Sequence, residues 1–237
     1  MEKQKLSRFV SKYNLAGLVE SVKYESKNGS LVTSFISDDK SVLGNITMKD
    51  FGFRDATFGV YDTGKLTKML SVLGTDIDFD LVEVNNKAVS LKFKDGSVAV
   101  NYMLADLSVI PTVPDLKKLP DFDIKLKLDK KFIDTFIKAK GALADENNFT
   151  YVQKNGKSEI IMGYSNINTN RITIAVECET KDDVSPISFS ATYLKEILVA
   201  NKEASDATLN ISSHGLSHIH FEIDEYTSDY YLVEIAG

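Results

Sequence analysis

Residues 107–122 read LSVIPTVPDLKKLPDF and hold three of the chain's four prolines, Pro111, Pro114 and Pro120; the fourth is Pro186. Proline fixes φ, lacks an N–H donor and pushes the residue before it toward extended geometry, so residues 105–122 are expected to form a stiff, extended connector. Leu107, Val109, Ile110, Val113, Leu116 and Leu119 make it apolar. An extended segment with that much apolar surface should lie against the protein. The stretch falls near the middle of 237 residues, a length that suits two domains of about 115–120 residues each. The two flanking halves therefore invite comparison.

They repeat in pattern. Each half contains a helix with one apolar face, Leu6, Phe9, Val10 and Tyr13 in the first and Phe132, Ile133, Phe136 and Ile137 in the second. Strand-like runs follow at 31–36 and 41–47, and at 149–153, 159–163 and 171–176. A short strand then leads into a second helix: 58–61 before Leu66, Met69, Leu70 and Leu73, and 187–190 before Leu194, Ile197 and Leu198. Alternating strands close each half. In the first, turns at Asn85-Asn86 and Asp95-Gly96 separate Ile77, Phe79, Leu81 from Val89, Leu91, Phe93 and from Val98, Val100, Tyr102. In the second, a turn at His214-Gly215 joins Leu209 and Ile211 to Ile219, Phe221 and Ile223, before a last strand through Tyr231, Val233 and Ile235. The expectation is an α+β chain of two similar domains, each with two helices packed on antiparallel sheets: residues 1–104, the connector 105–122, and residues 123–237.

Composition excludes several classes. Charged residues make up 26% and hydrophobic residues 43%, which argues against general disorder. With 28 Lys plus Arg against 34 Asp plus Glu, the net charge of −6 argues against coating nucleic acid or an anionic membrane with the whole surface. No apolar run reaches the roughly 18 residues of a membrane span, and MEKQKLSRFV lacks the apolar segment of a secretory leader. A single cysteine, Cys178, precludes an internal disulfide and fits a reducing cytoplasm. No membrane partner is expected.

The charge is unevenly placed. Helices taken as 2–14, 62–73, 129–141 and 191–202 hold twelve basic and five acidic residues, net +7, which leaves −13 for the rest of a chain whose total is −6. The pairs Lys5/Lys12, Lys131/Lys138 and Lys195/Lys202 are seven residues apart, two turns along one face and about 10 Å by helix rise. With Arg8, Lys65 and Lys68 they suggest a basic, helix-lined surface for a phosphate backbone on an acidic body. The plainer alternative is that lysine, a good helix former, solvates an outer face. Arginine occurs only at Arg8, Arg54 and Arg171, so bidentate base reading is not expected and contact with duplex DNA should be independent of sequence.

Catalytic chemistry finds little support. His214, His218 and His220 in HGLSHIH invite a metal reading, a metal-dependent hydrolase being the remote enzymatic alternative, but His214 lies across a turn and no carboxylate at zinc-ligand spacing completes the set. Cys178 sits beside acids, which disfavour a thiolate. NGKSEI at 155–160 and KDGS at 94–97 are hairpin turns rather than phosphate loops, and the acids Asp38-Asp39, Asp182-Asp183 and Asp76/Asp78/Asp80 have no partner base in view. The expectation is no catalytic residue, no metal, no cofactor and no enzyme.

SDYYLVEI at 228–235, VAVNYMLADLSVIP at 98–111 and FGVYDTGKLTKMLSVL at 58–73 resemble a known family. They look like segments of the sliding clamps, the polymerase processivity rings of T4-like bacteriophages and their relatives, including proliferating cell nuclear antigen. The resemblance covers essentially the whole chain by order of elements; the motifs are short, and the specificity lies in their arrangement. It implies a head-to-tail, pseudo-sixfold ring, and two domains per chain then require a homotrimer. Subunits in such a ring would meet through residues 98–104 and 171–177, naming Val98, Val100 and Tyr102 on one side and Arg171, Ile172, Ile174 and Val176 on the other. The resemblance also implies partners: a DNA polymerase, an ATP-dependent clamp loader and, in T4-like clamps, transcription factors in late transcription. A hydrophobic peptide of the partner would enter between the connector and the last strand, lined here by Val42, Leu43, Leu116, Leu119, Pro120, Tyr231, Leu232 and Val233. The setting implied is the cytoplasm of a phage-infected bacterium. The nearest alternative is a processivity factor that binds DNA by its basic helices without closing a ring.

Overall fold

A computed structural model describes residues 1–116, 118–154, 156–167, 169–180, 184–204 and 206–235. Lys117 of the connector, Asn155 of the NGKSEI turn and the pair Asp182-Asp183 lie outside them. The chain forms two compact units. Met1–Ser37, Gly44–Val113 and Glu225–Thr227 make up the first; Asp38–Leu43, Pro114–Asp224 and Ser228–Gly237 make up the second. Each unit thus takes a short segment from the other half of the chain, which no pattern in either half announces. Among the described residues no helix is long and apolar enough to cross a membrane.

The first unit runs α1 (Lys3–Asn14), β1 (Val22–Lys27), β2 (Ser30–Ile36), β3 (Val42–Met48), β4 (Ala56–Val60), α2 (Thr63–Ser71), β5 (Asp78–Val84), β6 (Lys87–Lys94) and β7 (Ala99–Met103). Its strands are ordered β3-β2-β1-β4 in one sheet and β5-β6-β7 in another. The second unit runs β8 (Ile124–Asp129), α3 (Lys130–Ala142), β9 (Asn148–Lys154), β10 (Lys157–Met162), β11 (Ile172–Val176), β12 (Cys178–Thr180), β13 (Ile187–Ser190), α4 (Ala191–Ala200), β14 (Asp206–Ser212), β15 (Leu216–Ile223) and β16 (Tyr226–Val233). Its orders are β12-β8-β14-β15-β16 and β11-β10-β9-β13. In both units a helix, a run of strands, a second helix and three closing strands follow in that order, with antiparallel register in the paired strands.

Local chemistry explains the boundaries. Asp62, Asp129 and Ser190 accept from the backbone N–H of Lys65, Phe132 and Tyr193, capping α2, α3 and α4. Asn85 and Asn86 both adopt positive φ, which lets β5 turn tightly into β6. The apolar helix faces are buried as the spacing predicts. In the first unit Phe9, Tyr13, Tyr24 and Phe58 meet edge to face. The Tyr13 hydroxyl bonds those of Tyr24 at 2.6 Å and Thr63 at 3.1 Å, tying α1, β1 and α2 together without a stranded polar group. In the second unit Phe136, Phe149 and Phe189 pack in sequence, and the Asn201 amide donates to the Tyr230 hydroxyl.

The connector departs from expectation. Ile110 is buried, but Leu107, Val109, Leu116 and Leu119 remain exposed. Ile110 packs because β4 offers it a residue without a side chain. A Cβ on Gly59 would stand 2.9 Å from the Ala105 carbonyl oxygen and 3.0 Å from Ile110 Cγ1. Ala105 N–H also donates to Gly59 O at 3.0 Å. Gly59→Ala should therefore push the connector off β4 and lower stability by about 1–3 kcal/mol. Urea unfolding reads this as a lower midpoint with unchanged slope; an unchanged midpoint would mean that the connector yields freely there.

Candidate functional site

The cations singled out on the helices fall into two groups. On α1, Lys5 pairs with Glu225 at 3.4 Å, the Arg8 guanidinium lies 4.7 Å from the centre of the Tyr226 ring, and Lys12 Nζ lies 5.2 Å from the same ring. The Tyr226 hydroxyl donates to the Lys5 carbonyl at 2.9 Å. Lys12 is fully buried. The expectation that Lys12 belongs to an open basic surface therefore fails, because the Tyr226 ring lies over it, and Lys5 is half-buried beside Glu225. The attraction of a cation for an aromatic face strengthens as water is excluded, which suits this site to a buried ammonium. Lys195 is half-buried and held by Glu196 at 2.7 Å.

The second group stays open. Lys65 and Lys68 on α2, Lys131 and Lys138 on α3, and Lys202 just past α4 are exposed and carry no ion pair among the described residues. Each unit thus presents lysines on its helices to solvent. Such side chains can contact phosphates as point charges without reading bases.

Sheet edges supply a second feature. In the first unit β4, β5 and β7 are sheet edges, and in the second β11, β12 and β13 are; β3 and β16 each have a hydrogen-bonded strand on both sides and are not edges. Four of these edges are blunted. Ala105 caps β4 through Gly59, and Ile235 N–H donates to Ser188 O on β13. The edge of β5 carries a register shift at Val82/Glu83 and the Arg54 guanidinium, which bonds Leu81 O at 3.5 Å and pairs with Glu83. β12 is three residues long. β7 and β11 have no such cover among the described residues. Both are five residues long, AVNYM and ITIAV, with neither charge nor proline. They lack the devices that normally protect an edge from pairing.

Of the residues expected at a subunit contact, Val100 and Tyr102 lie on β7 and Ile172, Ile174 and Val176 on β11, while Val98 and Arg171 each lie just before the strand. Val100 and Tyr102 point into their own unit, and the Tyr102 hydroxyl is engaged with the Asp62 backbone. Strand alternation puts Asn101 and Met103 on the open side instead. Met103, Tyr61 and Val109, all more than half exposed, border a hollow of about 660 Å³ that Met69 and Lys65 also line. Sequence reasoning missed these residues, although a methionine on the polar face of a strand was the available signal. On β11, Ile172, Ile174 and Val176 are half-buried, and Arg171 reaches the carbonyls of Ser165 and Ile167. Val98 lies just before β7 and is half-buried.

The residues expected to line a peptide groove separate in the same way. Val42, Leu43 and Leu232 are buried and offer no wall. On β16, Ser228, Tyr230 and Leu232 point inward, so alternation turns Tyr231 and Val233 outward. The Tyr231 ring stacks on His218 at 4.6 Å, and Phe122, at the end of the connector, approaches the same histidine at 6.0 Å. Leu116 and Leu119 are exposed and Pro120 is half-buried, so the apolar surface left accessible comprises these, Tyr231 and Val233.

No protein-family model matches the chain, and no curated protein sequence matches it. Among solved structures it is similar to the crystal structure of proliferating cellular nuclear antigen from Entamoeba histolytica. The TM-score is 0.75 at 15% identity, over 100% of this chain and 97% of that one. At such identity the likeness is one of fold, and the chain has a sliding-clamp fold.

Proposed function

We propose that the chain is a sliding clamp, a non-enzymatic ring of three copies that encircles duplex DNA and holds a DNA polymerase on its template. The observation that carries this reading is the pair of open, uncharged, equally long edges on β7 and β11, in a chain with the fold of proliferating cellular nuclear antigen. One edge in each unit suits a heterologous contact, β7 of one copy pairing with β11 of the next, and such a contact closes when the rotation permits. Three chains of two units give pseudo-sixfold symmetry. A separate ATP-driven loader would open the ring, and transcription factors would share the polymerase's docking surface if the clamp is of the bacteriophage type. Its setting would then be the cytoplasm of an infected cell.

In this reading the exposed lysines Lys65, Lys68, Lys131, Lys138 and Lys202 face the DNA, with Lys5, Arg8 and Lys195 as weaker contributors because each already has a partner. Lys12 serves the fold. The acidic remainder discourages binding elsewhere, and enclosure makes high affinity unnecessary. Changing the five lysines to alanine should preserve the fold. Duplex binding should weaken equally for unrelated sequences, and the slope of log K against log salt should fall by about 0.9 for each phosphate that is no longer neutralised. An unchanged slope would make these lysines ordinary solvated residues.

The polymerase would dock a short hydrophobic segment on Tyr231, Leu116, Leu119, Pro120 and Val233. Anchor residues concentrate binding energy, so Tyr231→Ala with Leu119→Ala should weaken binding of the polymerase's C-terminal peptide by about 2 kcal/mol or more, roughly thirtyfold. Assembly mass should stay unchanged. Affinity within a factor of about two of the unmodified chain, well below that hot-spot scale, would place the docking surface elsewhere.

A further inference from the structure

β15 carries His218 and His220 two residues apart, so alternation places both rings on one face of the strand. The neighbouring strand β16 brings Asp229 to the same face. Oδ1 of Asp229 lies 2.8 Å from His218 Nε2 and 2.8 Å from His220 Nδ1. One donor atom from each of the three residues lies within 4.8 Å of the other two, and all three residues are half-buried. His214, from the same HGLSHIH run, is exposed and is not part of this cluster. The carboxylate that the sequence does not offer at ligand spacing thus arrives from the adjacent strand.

We propose that His218, His220 and Asp229 bind one first-row divalent metal ion, Zn²⁺ in the first instance, through two imidazole nitrogens and one carboxylate oxygen. The donor set is one that zinc uses, and three protein ligands leave a fourth position for water. Ligand atoms about 2.0–2.2 Å from a tetrahedral zinc stand roughly 3.3 Å from each other, so the two Asp229 contacts need open by about half an ångström, and the two imidazole nitrogens, within 4.8 Å of each other, adjust to the same spacing. On binding, each imidazole presents a lone pair to the metal and carries its proton on the opposite ring nitrogen. For His220 that nitrogen is Nε2, 3.8 Å from Glu222 Oε1 and thus beyond hydrogen-bond reach as the side chains lie, so Glu222 would have to approach to act as the outer carboxylate that orients a metal-bound imidazole. His218 is already oriented by its stack on Tyr231, with an interplanar angle of 15°.

A hollow of about 830 Å³, lined by His220, Glu222, Glu179 and Lys125 among others, borders the site and gives an ion and its water a way in. A bound metal would join β15 to β16, the strand that carries Tyr231. The site stands on its own residues and does not depend on the clamp reading.

Titration of chelator-treated full-length protein with ZnCl₂, followed by calorimetry, is the test, with Co²⁺ and its visible absorption as a second probe. One ion per chain, a tetrahedral cobalt spectrum and a higher unfolding temperature with zinc are expected, since an ion that binds only the folded chain stabilises it. Asp229→Asn and His220→Ala should each weaken binding by at least about tenfold, whereas His214→Ala should leave it unchanged. Asparagine keeps an acceptor oxygen for the histidines, and circular dichroism verifies that the variants fold. Absence of zinc heat and of a cobalt spectrum from the unmodified chain would overturn the proposal. So would binding that survives both ligand variants or disappears in His214→Ala.

Discussion

An unpaired strand edge exposes a row of N–H and C=O groups that must bond either to water or to another strand, and proteins that stay monomeric blunt such edges. This chain blunts four of its sheet edges by four separate means: a connector residue on β4, an arginine and a register shift on β5, the C-terminal segment on β13, and brevity on β12. β7 and β11 receive none of these among the described residues. The pairing pattern sharpens the point. Leu104 N–H donates back to Val89 O on β6, so alternate residues of β7, Asn101 and Met103 among them, direct their backbone groups outward. The proposed assembly depends on those groups more than on any side chain.

Electrostatics is organised at a finer grain than helix charge suggests. Glu225 and Tyr226 absorb Lys5, Arg8 and Lys12 on α1, so a cluster that looks suited to phosphate instead fastens α1 to a segment more than two hundred residues later in the chain. A buried ammonium left without partners would be costly, and the aromatic face and nearby acid offset that cost. Lys65 and Lys68 on α2, Lys131 and Lys138 on α3, and Lys202 after α4 have no such neighbours among the described residues and stand in solvent. Any affinity for DNA in the proposed ring would rest chiefly on them.

Much of this was legible from periodicity. The stripes Leu6, Phe9, Val10, Tyr13 and Phe132, Ile133, Phe136 mark two of the helices, and Asn85-Asn86 marks a hairpin, because these signals are local and each has one physical reading. What spacing could not supply was phase and partner. A seven-residue interval places Lys5 and Lys12 on one face of α1 but does not say that Tyr226 covers it. Alternation in YYLV separates Tyr231 from Leu232 without saying which side is the core; the burial of Tyr230 and Leu232 decides it. Asp229 meets His218 and His220 only because β16 lies beside β15. The connector's leucines were expected to pack, yet Leu107, Leu116 and Leu119 stay exposed, while Ile110 is buried where Gly59 leaves it room.

The central claim is that β7 and β11 of successive copies pair to close a ring, and solution mass tests it most directly. Sedimentation equilibrium at micromolar concentration should return about three times the 26.3 kDa chain mass. Asn101→Pro, which removes an outward N–H from β7 while sparing the bonds to β6, should shift the protein to monomer without loss of secondary structure. A stable monomer of the unmodified chain across that range, or a trimer indifferent to the proline, would contradict the account.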